Sequence, residues 1–530
     1  MQKFAAKAEP QGEKLRGGYY TPTRIASFLA TWVLSAGPRV LEPACGDGAV
    51  LAHLVQPWTS PEGVELFEAE AAKARAATGV DVVASDFFRW FTPERYGTFD
   101  GVAGNPPYIR FGSWEHESRD RALGLMRGEG MRPSKLTNAW VPFVVASIMA
   151  VRLGGRVGLV IPAELMQVGY AAQLRAYLVD ECSEITLVSF EKLVFPGLLQ
   201  EVVLLLATRG AGPARINTVE VPDAGALASA SLETSAARAH LHETEKWTKY
   251  YLGTEAIELV RQLRADDRMA PLATYATTNV GVVTGRNSFF CLTQSDVTQR
   301  GLAEWTKPLL ARSAQMTGLT YRAEDLIQQS ENGARTHLLA VPSNVDLTRA
   351  PTLARYIAEG EEEGVDTGFK CRIRNEWWVV PSVSVPDGFM LRQVSSHLRI
   401  AANKAGATST DTVHRVFAKP GVDIEKLSAA AFNSVTLAMS EVIGRSYGGG
   451  LLEMEPSECG ELPVPDPSLV PEGLSAKADD LIREQRFEEA LDLVDQGVLI
   501  EKVGLNPADV SSMREVWQRM RSRRMGRGKR

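Results

Sequence analysis

Four short apolar runs in the first 110 residues each end in a group able to grip a ligand. That succession restricts the fold more than any other feature of the chain. Arg39-Val40-Leu41 runs into Glu42-Pro43-Ala44-Cys45-Gly46-Asp47-Gly48, and Gly63-Val64 runs into Glu65-Leu66. Val80 to Ala84 ends at Ser85-Asp86, and Phe99 to Gly104 ends at Asn105-Pro106-Pro107-Tyr108. Helical stretches lie between them, so strand and helix alternate, which predicts a mainly parallel sheet covered on both faces. In such sheets ligands bind beyond the C-terminal ends of the strands, where all four groups fall.

The same reading extends along the chain. A helix is expected over 22–36, with Pro22 in its first turn and Ile25, Phe28, Leu29, Trp32 and Val33 as its apolar stripe. An apolar helix over about 138–153 precedes Gly154-Gly155, a strand Val157 to Ile161, a helix over about 169–180, and strands near 184–190 and 201–208. Residues 211–245 read as an Ala-rich loop, and 254–264 as a bridging helix. Residues 270–465 suggest a mixed, less regular domain of short strands and Gly-rich turns, and 473–521 return to helical periodicity. No internal repeat is present.

Each terminal group has its own chemistry. The two prolines of Asn105-Pro106-Pro107-Tyr108 fix φ and stiffen the turn. The Asn105 side-chain carbonyl and the Pro106 backbone carbonyl can then converge on the two hydrogens of an exocyclic amine. Tyr108 offers a ring face for stacking a planar base. The Gly-rich turn after Glu42 lets a ligand approach the backbone, but it is neither the dinucleotide GxGxxG pattern nor a Walker loop. Glu65 stands where an acid commonly grips ribose hydroxyls, and Asp86 can accept from an adenine amino group. Taken singly, each acid also reads as a plain loop residue, and the proline pair as an ordinary turn. Their succession at four strand ends favours a site.

Composition bounds the alternatives. At 530 residues the chain exceeds one ordinary core, and two or three domains are expected. A mean hydropathy of −0.11 and apolar runs far shorter than a bilayer span of ~20 residues lead us to expect a soluble, cytoplasmic protein with no membrane association. Five cysteines, at 45, 182, 291, 371 and 459, form no CxxC pair, so neither a disulfide framework nor a zinc site is expected. The net charge of −6 hides an asymmetry: Arg514 to Arg530 carry eight basic residues and one acid. That stretch is +7 and the remainder −13. Such a tail reads either as a solvated, mobile end or as a phosphate-seeking arm.

The order Gly18-Tyr19-Tyr20-Thr21-Pro22, Leu41 to Gly48, Glu65, Asp86-Phe87-Phe88 and Gly104 to Tyr108 resembles the gamma-group DNA adenine-N6 methyltransferases of type II restriction–modification systems. The likeness continues through Gly154 to Pro162 and Val194-Phe195-Pro196, covering roughly residues 17–209 closely. It extends more loosely to Val280 to Gly285, Lys370 to Arg374, Trp377-Trp378 and Gly444 to Gly450.

The resemblance implies an α/β fold: a class I methyltransferase (Rossmann-like) catalytic domain over 1–243, a mixed α/β target-recognition domain over 244–472, and a helical C-terminus over 473–530 with the basic tail. It implies S-adenosyl-L-methionine as cofactor, with Thr21, Glu42, Pro43, Ala44 and Cys45 contacting it, Glu65 on its ribose, Asp86 on its adenine amino group and Pro107 lining its side. It further implies that Asn105 and Pro106 hold the target amine, that Tyr108 stacks on a flipped adenine, and that Phe195 closes the other face. Phe195 equally reads as a core aromatic. The implied partners are double-stranded DNA in a bacterial or archaeal cell and a separate cognate restriction endonuclease. No metal is expected. Arg286, Arg312, Lys370, Arg372, Arg374 and Arg415 are candidates for phosphate contacts or guanine readout.

Three alternatives stay open. Asn-Pro-Pro-Tyr also serves glutamine-N5 and some RNA adenine methyltransferases, which are usually shorter and lack so large a second region. A fused nuclease of the PD-(D/E)xK type needs an acid two residues before a lysine, and no lysine here has one. A DNA-binding protein on a dead methyltransferase fold would not be expected to keep both Glu42 to Gly48 and Asn105 to Tyr108 intact.

Overall fold

Polar strand ends fix where the first strands stop, and the sheet they build follows from how these strands pair. The computed structural model describes residues 21–192, 194–195, 201–232, 246–447 and 449–526. Gly18 to Tyr20, Pro196, residues 233–245, Gly448 and the last four residues of the basic tail lie outside the described residues. The chain divides into two compact units, with the change falling between Tyr251 and Leu252.

The first unit carries an eight-stranded sheet. Its strands are β1 (Arg39–Glu42), β2 (Ser60–Glu65), β3 (Val83–Ala84), β4 (Phe99–Gly104), β5 (Val151–Pro162), β6 (Cys182–Phe190), β7 (Val202–Arg209) and β8 (Arg215–Val221). They lie in the order β3-β2-β1-β4-β5-β7-β6-β8. β1 pairs in parallel with both β2 and β4, β4 with β5, and β6 with β8, while β7 runs antiparallel between β5 and β6. The chain leaves β1 toward one side and returns to β4 on the other, so the order reverses between them. The crevice above such a reversal is where α/β sheets hold ligands.

Helix α1 (Thr23–Leu34) lays Ile25, Ala26, Leu29, Ala30 and Val33 on this sheet. A Cβ on Gly101 of β4 would stand 2.8 Å from Val33 Cβ and 3.0 Å from its carbonyl oxygen, so only glycine lets the helix seat so closely. Helix α2 (Trp140–Ala150) is apolar all round, and all eleven of its residues are buried.

Several expectations need correction. The apolar helix ends at Ala150, because Val151 already pairs with Phe99 and the ladder then shifts register to match Gly101 with Arg156. Of the strand expected over Val80 to Ala84, only Val83–Ala84 pairs; Val82 N–H instead bonds back to the Val80 carbonyl in a tight turn. Residues 211–245 are not all loop, since Arg215–Val221 adds a strand beside β6, burying Ile216, Asn217, Val219 and Val221.

The second unit is mixed α/β. A helix at Thr254–Arg264 leads into it, as expected. Its largest sheet has five strands, ordered Ala276–Asn279, Val413–Ala418, Gly388–Leu391, Ile400–Asn403, Thr320–Tyr321. A second core gathers Phe289, Phe290, Leu338, Leu353, Tyr356 and Trp377. Helices at Leu474–Arg483, Phe487–Val494 and Pro507–Gly526 close the unit. The mobile basic arm is not what is found up to Gly526. Arg514 reaches Asp492 and Asp495, and the nearly inaccessible Arg524 makes a two-pronged ion pair with Glu441 while donating to the carbonyls of Val394, Ser395 and Gly450.

Candidate active site

The reversal between β1 and β4 brings the Glu42 turn and the Asn105 turn together. A Cβ on Gly104 would stand 3.5 Å from Glu42 Cγ, 3.9 Å from its Oε1 and 3.5 Å from Pro43 Cδ. Glu42 is 2% exposed, and its Oε2 has no hydrogen-bond partner among the described residues. Burial pushes this carboxyl well above the usual range, and the nearby charges of Asp47 and Glu65 push the same way. The Leu51 backbone N–H bonds to the group and offsets part of this, but a buried carboxylate oxygen left unpaired is costly, and a cationic or hydrogen-donating ligand would satisfy it.

The turn that follows is shaped by backbone. Gly46 and Gly48 have φ of +53° and +88°, and Gly48 N–H closes the turn on the Cys45 carbonyl at 2.8 Å. Nothing lies within 4 Å of where a Gly46 Cβ would be, so the backbone there is open to a ligand. Cys45 and Pro43 are buried beneath it and Ala44 half-buried; burial pushes the Cys45 thiol up, so it is no nucleophile. Thr21 is buried at the first described position.

Glu65 ends β2 with both carboxylate oxygens engaged: Gly46 N–H donates to Oε2 at 2.9 Å and Phe67 N–H to Oε1 at 3.0 Å. It thus ties the Gly-rich turn to its own strand end. Asp86 caps the short helix Phe87–Trp90 by accepting from Arg89 N–H at 2.8 Å, and Ser118 Oγ donates to its other oxygen. Arg121 stands 3.9 Å away. The rings of Phe87 and Phe88 pack on Phe143 of α2 at 5.1 and 4.8 Å, which anchors the Asp86 turn.

At the end of β4, Pro106 is buried while Asn105, Pro107 and Tyr108 are partly exposed. Tyr108 Oη lies 3.1 Å from both Asn105 Oδ1 and the Val160 carbonyl of β5, able to donate to either. The phenol therefore links the carboxamide to the next strand. A carbonyl oxygen has two acceptor positions, so this link is compatible with a second donor at Asn105. Phe195 is 6% exposed within the core cluster against which Tyr108 packs.

Sequence reasoning did not single out Ser118 and Arg121, which hold Asp86 from 32 and 35 residues away. It also passed over Leu66, Phe67 and Val83, apolar residues exposed by 52, 41 and 40% beside Glu65 and Asp86. An apolar residue directly after a strand-end acid was the available signal for the first two.

Among the charged candidates of the second unit, Arg374 and Arg415 are not offered to solvent as expected. Arg374 donates to the carbonyls of Val283, Thr284 and Trp377, and Arg415 to the carbonyls of Val280 and Ser382 and to the Ser384 hydroxyl. They brace the Val280 to Gly285 stretch, which meets Lys370 and Cys371 at Gly285. Arg286, Arg312, Lys370 and Arg372 are exposed. Among the described residues no helix is long and apolar enough to cross a membrane, and no cluster of three metal-ligating side chains occurs.

Comparison with known proteins finds likenesses to methylases of restriction–modification systems. Residues 64–195 match the Eco57I restriction-modification methylase family, and residues 244–499 match the C-terminal domain of type II methyltransferase M.Eco57I. The chain is 21% identical over 526 residues to type II methyltransferase M.AccI of Acinetobacter calcoaceticus, covering 94% of each. It is 22% identical over 476 residues to type II methyltransferase M.XamI of Xanthomonas campestris pv. amaranthicola, covering 85% of each.

Proposed function

We propose, on the premise that the chain belongs to the type II restriction–modification methylases, that it methylates adenine N6 at one short duplex DNA sequence. One observation carries the reading. The β1/β4 reversal sets a turn with two carbonyl acceptors and an aromatic ring beside a buried carboxyl, one of whose oxygens has no hydrogen-bond partner among the described residues. The cofactor is S-adenosyl-L-methionine, which supplies a methyl group already activated on a cationic sulfonium. The residues fit it: Glu42 suits a cationic ligand, and the Gly46 backbone is open to close approach.

In this reading Glu42, Pro43, Ala44, Cys45 and Thr21 hold the methionine end, Glu65 the ribose, Asp86 the adenine amino group, and Pro107 the cofactor side. Glu65 and Asp86 already accept from protein donors, which fixes each carboxylate in one orientation. Asn105 Oδ1 and the Pro106 carbonyl accept the two hydrogens of the target amine. That keeps its lone pair on nitrogen and aims it at the methyl group. Nitrogen attacks first and loses a proton afterwards, so no strong base is required. The target base is out of reach inside a duplex and must be flipped, at a cost of a few kcal/mol. Stacking on Tyr108, with Phe195 on the far side, offsets part of that cost, at ~1–3 kcal/mol per base.

Residues 1–243 then serve catalysis and 244–472 sequence choice, with 473–530 completing the chain. Protection from a separate cognate endonuclease is the biological role. The test is methyl incorporation by purified protein into duplex DNA, RNA and protein, with Asn105→Ala alongside. We expect N6-methyladenine in duplex DNA only, and at least ~100-fold less from the variant. Wild-type rates from Asn105→Ala, or incorporation into RNA or protein instead, would overturn the assignment.

A further inference from the structure

The segment 129–139, which joins helix His116–Gly128 to α2, is the least explained part of the first unit. Helix α2 runs into β5, which is parallel to β4, so α2 begins at the C-terminal edge of the sheet. The segment is tied to the end of β4 directly: Ala139 N–H donates to the carbonyl of Ile109, the residue after Tyr108, at 3.0 Å.

Its backbone is hydrogen-bonded on both sides of Leu136 and at Leu136 itself. Met131 is buried and its N–H bonds to the Met126 carbonyl. The Gln173 carboxamide clasps Arg132 at both its N–H and its carbonyl. Ser134 and Thr137 bond to each other twice, Thr137 is 2% exposed, and Leu136 N–H donates to Ser134 Oγ. Yet Leu136 itself is 73% exposed. Arg132 and Lys135 flank it, both exposed and in no ion pair with a described residue, and Arg110 projects from the adjoining strand end likewise. Glu129 is the one acid of the segment.

A single exposed leucine is ordinary on a protein surface. A leucine fixed in solvent by a clasped turn, set between two cations outside any ion pair with a described residue, on a segment that Ala139 ties to the neighbour of Tyr108, is not. Resting on the function proposed above, we propose that Leu136 is the wedge that enters the duplex at the target base pair as the adenine leaves. It fills the vacated stack, while Arg132 and Lys135 take the flanking phosphates. Proteins that open or kink DNA commonly insert an aliphatic side chain this way, and cations at its sides are drawn to the backbone. Rigidity is what a wedge requires, since a side chain on a loose loop would yield instead of the base stack.

The experiment uses the full-length protein and an oligonucleotide duplex carrying the site mapped from host DNA. Methylation rates of wild type and Leu136→Ala are compared on the fully paired duplex and on one with an abasic position opposite the target adenine. On the paired duplex the variant should be slower by about tenfold or more; on the abasic duplex, where the pair is already broken, it should come within about twofold of wild type. The 2-aminopurine signal at the target position should fall in parallel on the paired duplex only. Equal rates on the paired duplex, or an equal loss on both duplexes, would overturn the wedge. Absence of DNA methylation by the wild type would overturn the parent reading, and the wedge with it.

Discussion

Glu42 sits out of water with one oxygen unpartnered, so the empty protein holds it at a cost that its ligand would remove. The sign of that cost can be tested. Its carboxyl is held above the usual range by burial, so folding favours the protonated form. The penalty is absent below the unfolded pKa, grows as pH rises through it, and levels off above the folded value. Glu42→Gln removes the charge at nearly constant shape. Without ligand at pH 8 the variant should therefore melt above wild type, with the gap closing as pH falls toward 4. With S-adenosylmethionine the order should reverse, because a charge-assisted contact is lost, at about 1.5–3 kcal/mol. Thermal melts with and without cofactor, joined to calorimetric titration, read both signs. A variant that binds the cofactor as wild type does would remove Glu42 from the site.

Among elements, the terminal helix shows what charge counting misses. Its buried side chains include Met513, Trp517, Met520 and Arg524, spaced at helical intervals on one face. The guanidinium therefore falls in phase with the apolar stripe, and a pairing acid is what lets it stay there. Arg524→Ala leaves Glu441 buried without its partner, which should cost about 3–5 kcal/mol in urea unfolding followed by circular dichroism. A change below ~1 kcal/mol would show that the pair is not holding the helix.

His397 lies against the same helix, its ring 4.4 Å from Phe487 and 5.1 Å from Trp517. Burial, aided by Arg521 and Arg399, lowers its pKa from near 6.5 to about 3. An unfolded histidine binds the proton that this one refuses, so stability falls as pH drops below 6.5, by up to about 1.4 kcal/mol per pH unit. His397→Phe should flatten that acid limb; an unchanged slope between pH 6.5 and 4.5 would rule it out.

The element scale also shows how far sequence reading reaches. β1, β2 and β4 are legible because a polar residue, Glu42, Glu65 or Asn105, stands at or just after the end of each. β8 is not, because Ile216, Asn217, Thr218, Val219 and Glu220 keep no strict apolar–polar alternation and both Ile216 and Asn217 are buried. The end of α2 was misplaced because Val151 to Leu153 suit a helix as well as a strand, and only pairing with Phe99 decides it. Arg374 and Arg415 looked like surface cations because nothing in the sequence says which carbonyls they would find.

For the whole molecule, net charge proved a weak guide to partners. Of the +7 stretch, Arg514 and Arg524 are consumed by internal ion pairs, so the proposed reaction does not call on them to bind DNA. The proposed reaction calls on groups local to the first unit: Asn105, Pro106 and Tyr108 at one strand end, a cofactor held by their neighbours, and exposed cations such as Arg132 and Lys135 for the phosphates. Binding should then weaken steeply with salt despite an acidic protein. The most direct measurement is single-molecule sequencing of DNA from a methylation-deficient bacterial host that expresses either the wild-type chain or Asn105→Ala. The account predicts N6-methyladenine at one short motif across the wild-type genome and none at that motif with the variant. An unmodified genome, methylated cytosine, or an Asn105→Ala pattern equal to wild type would contradict it.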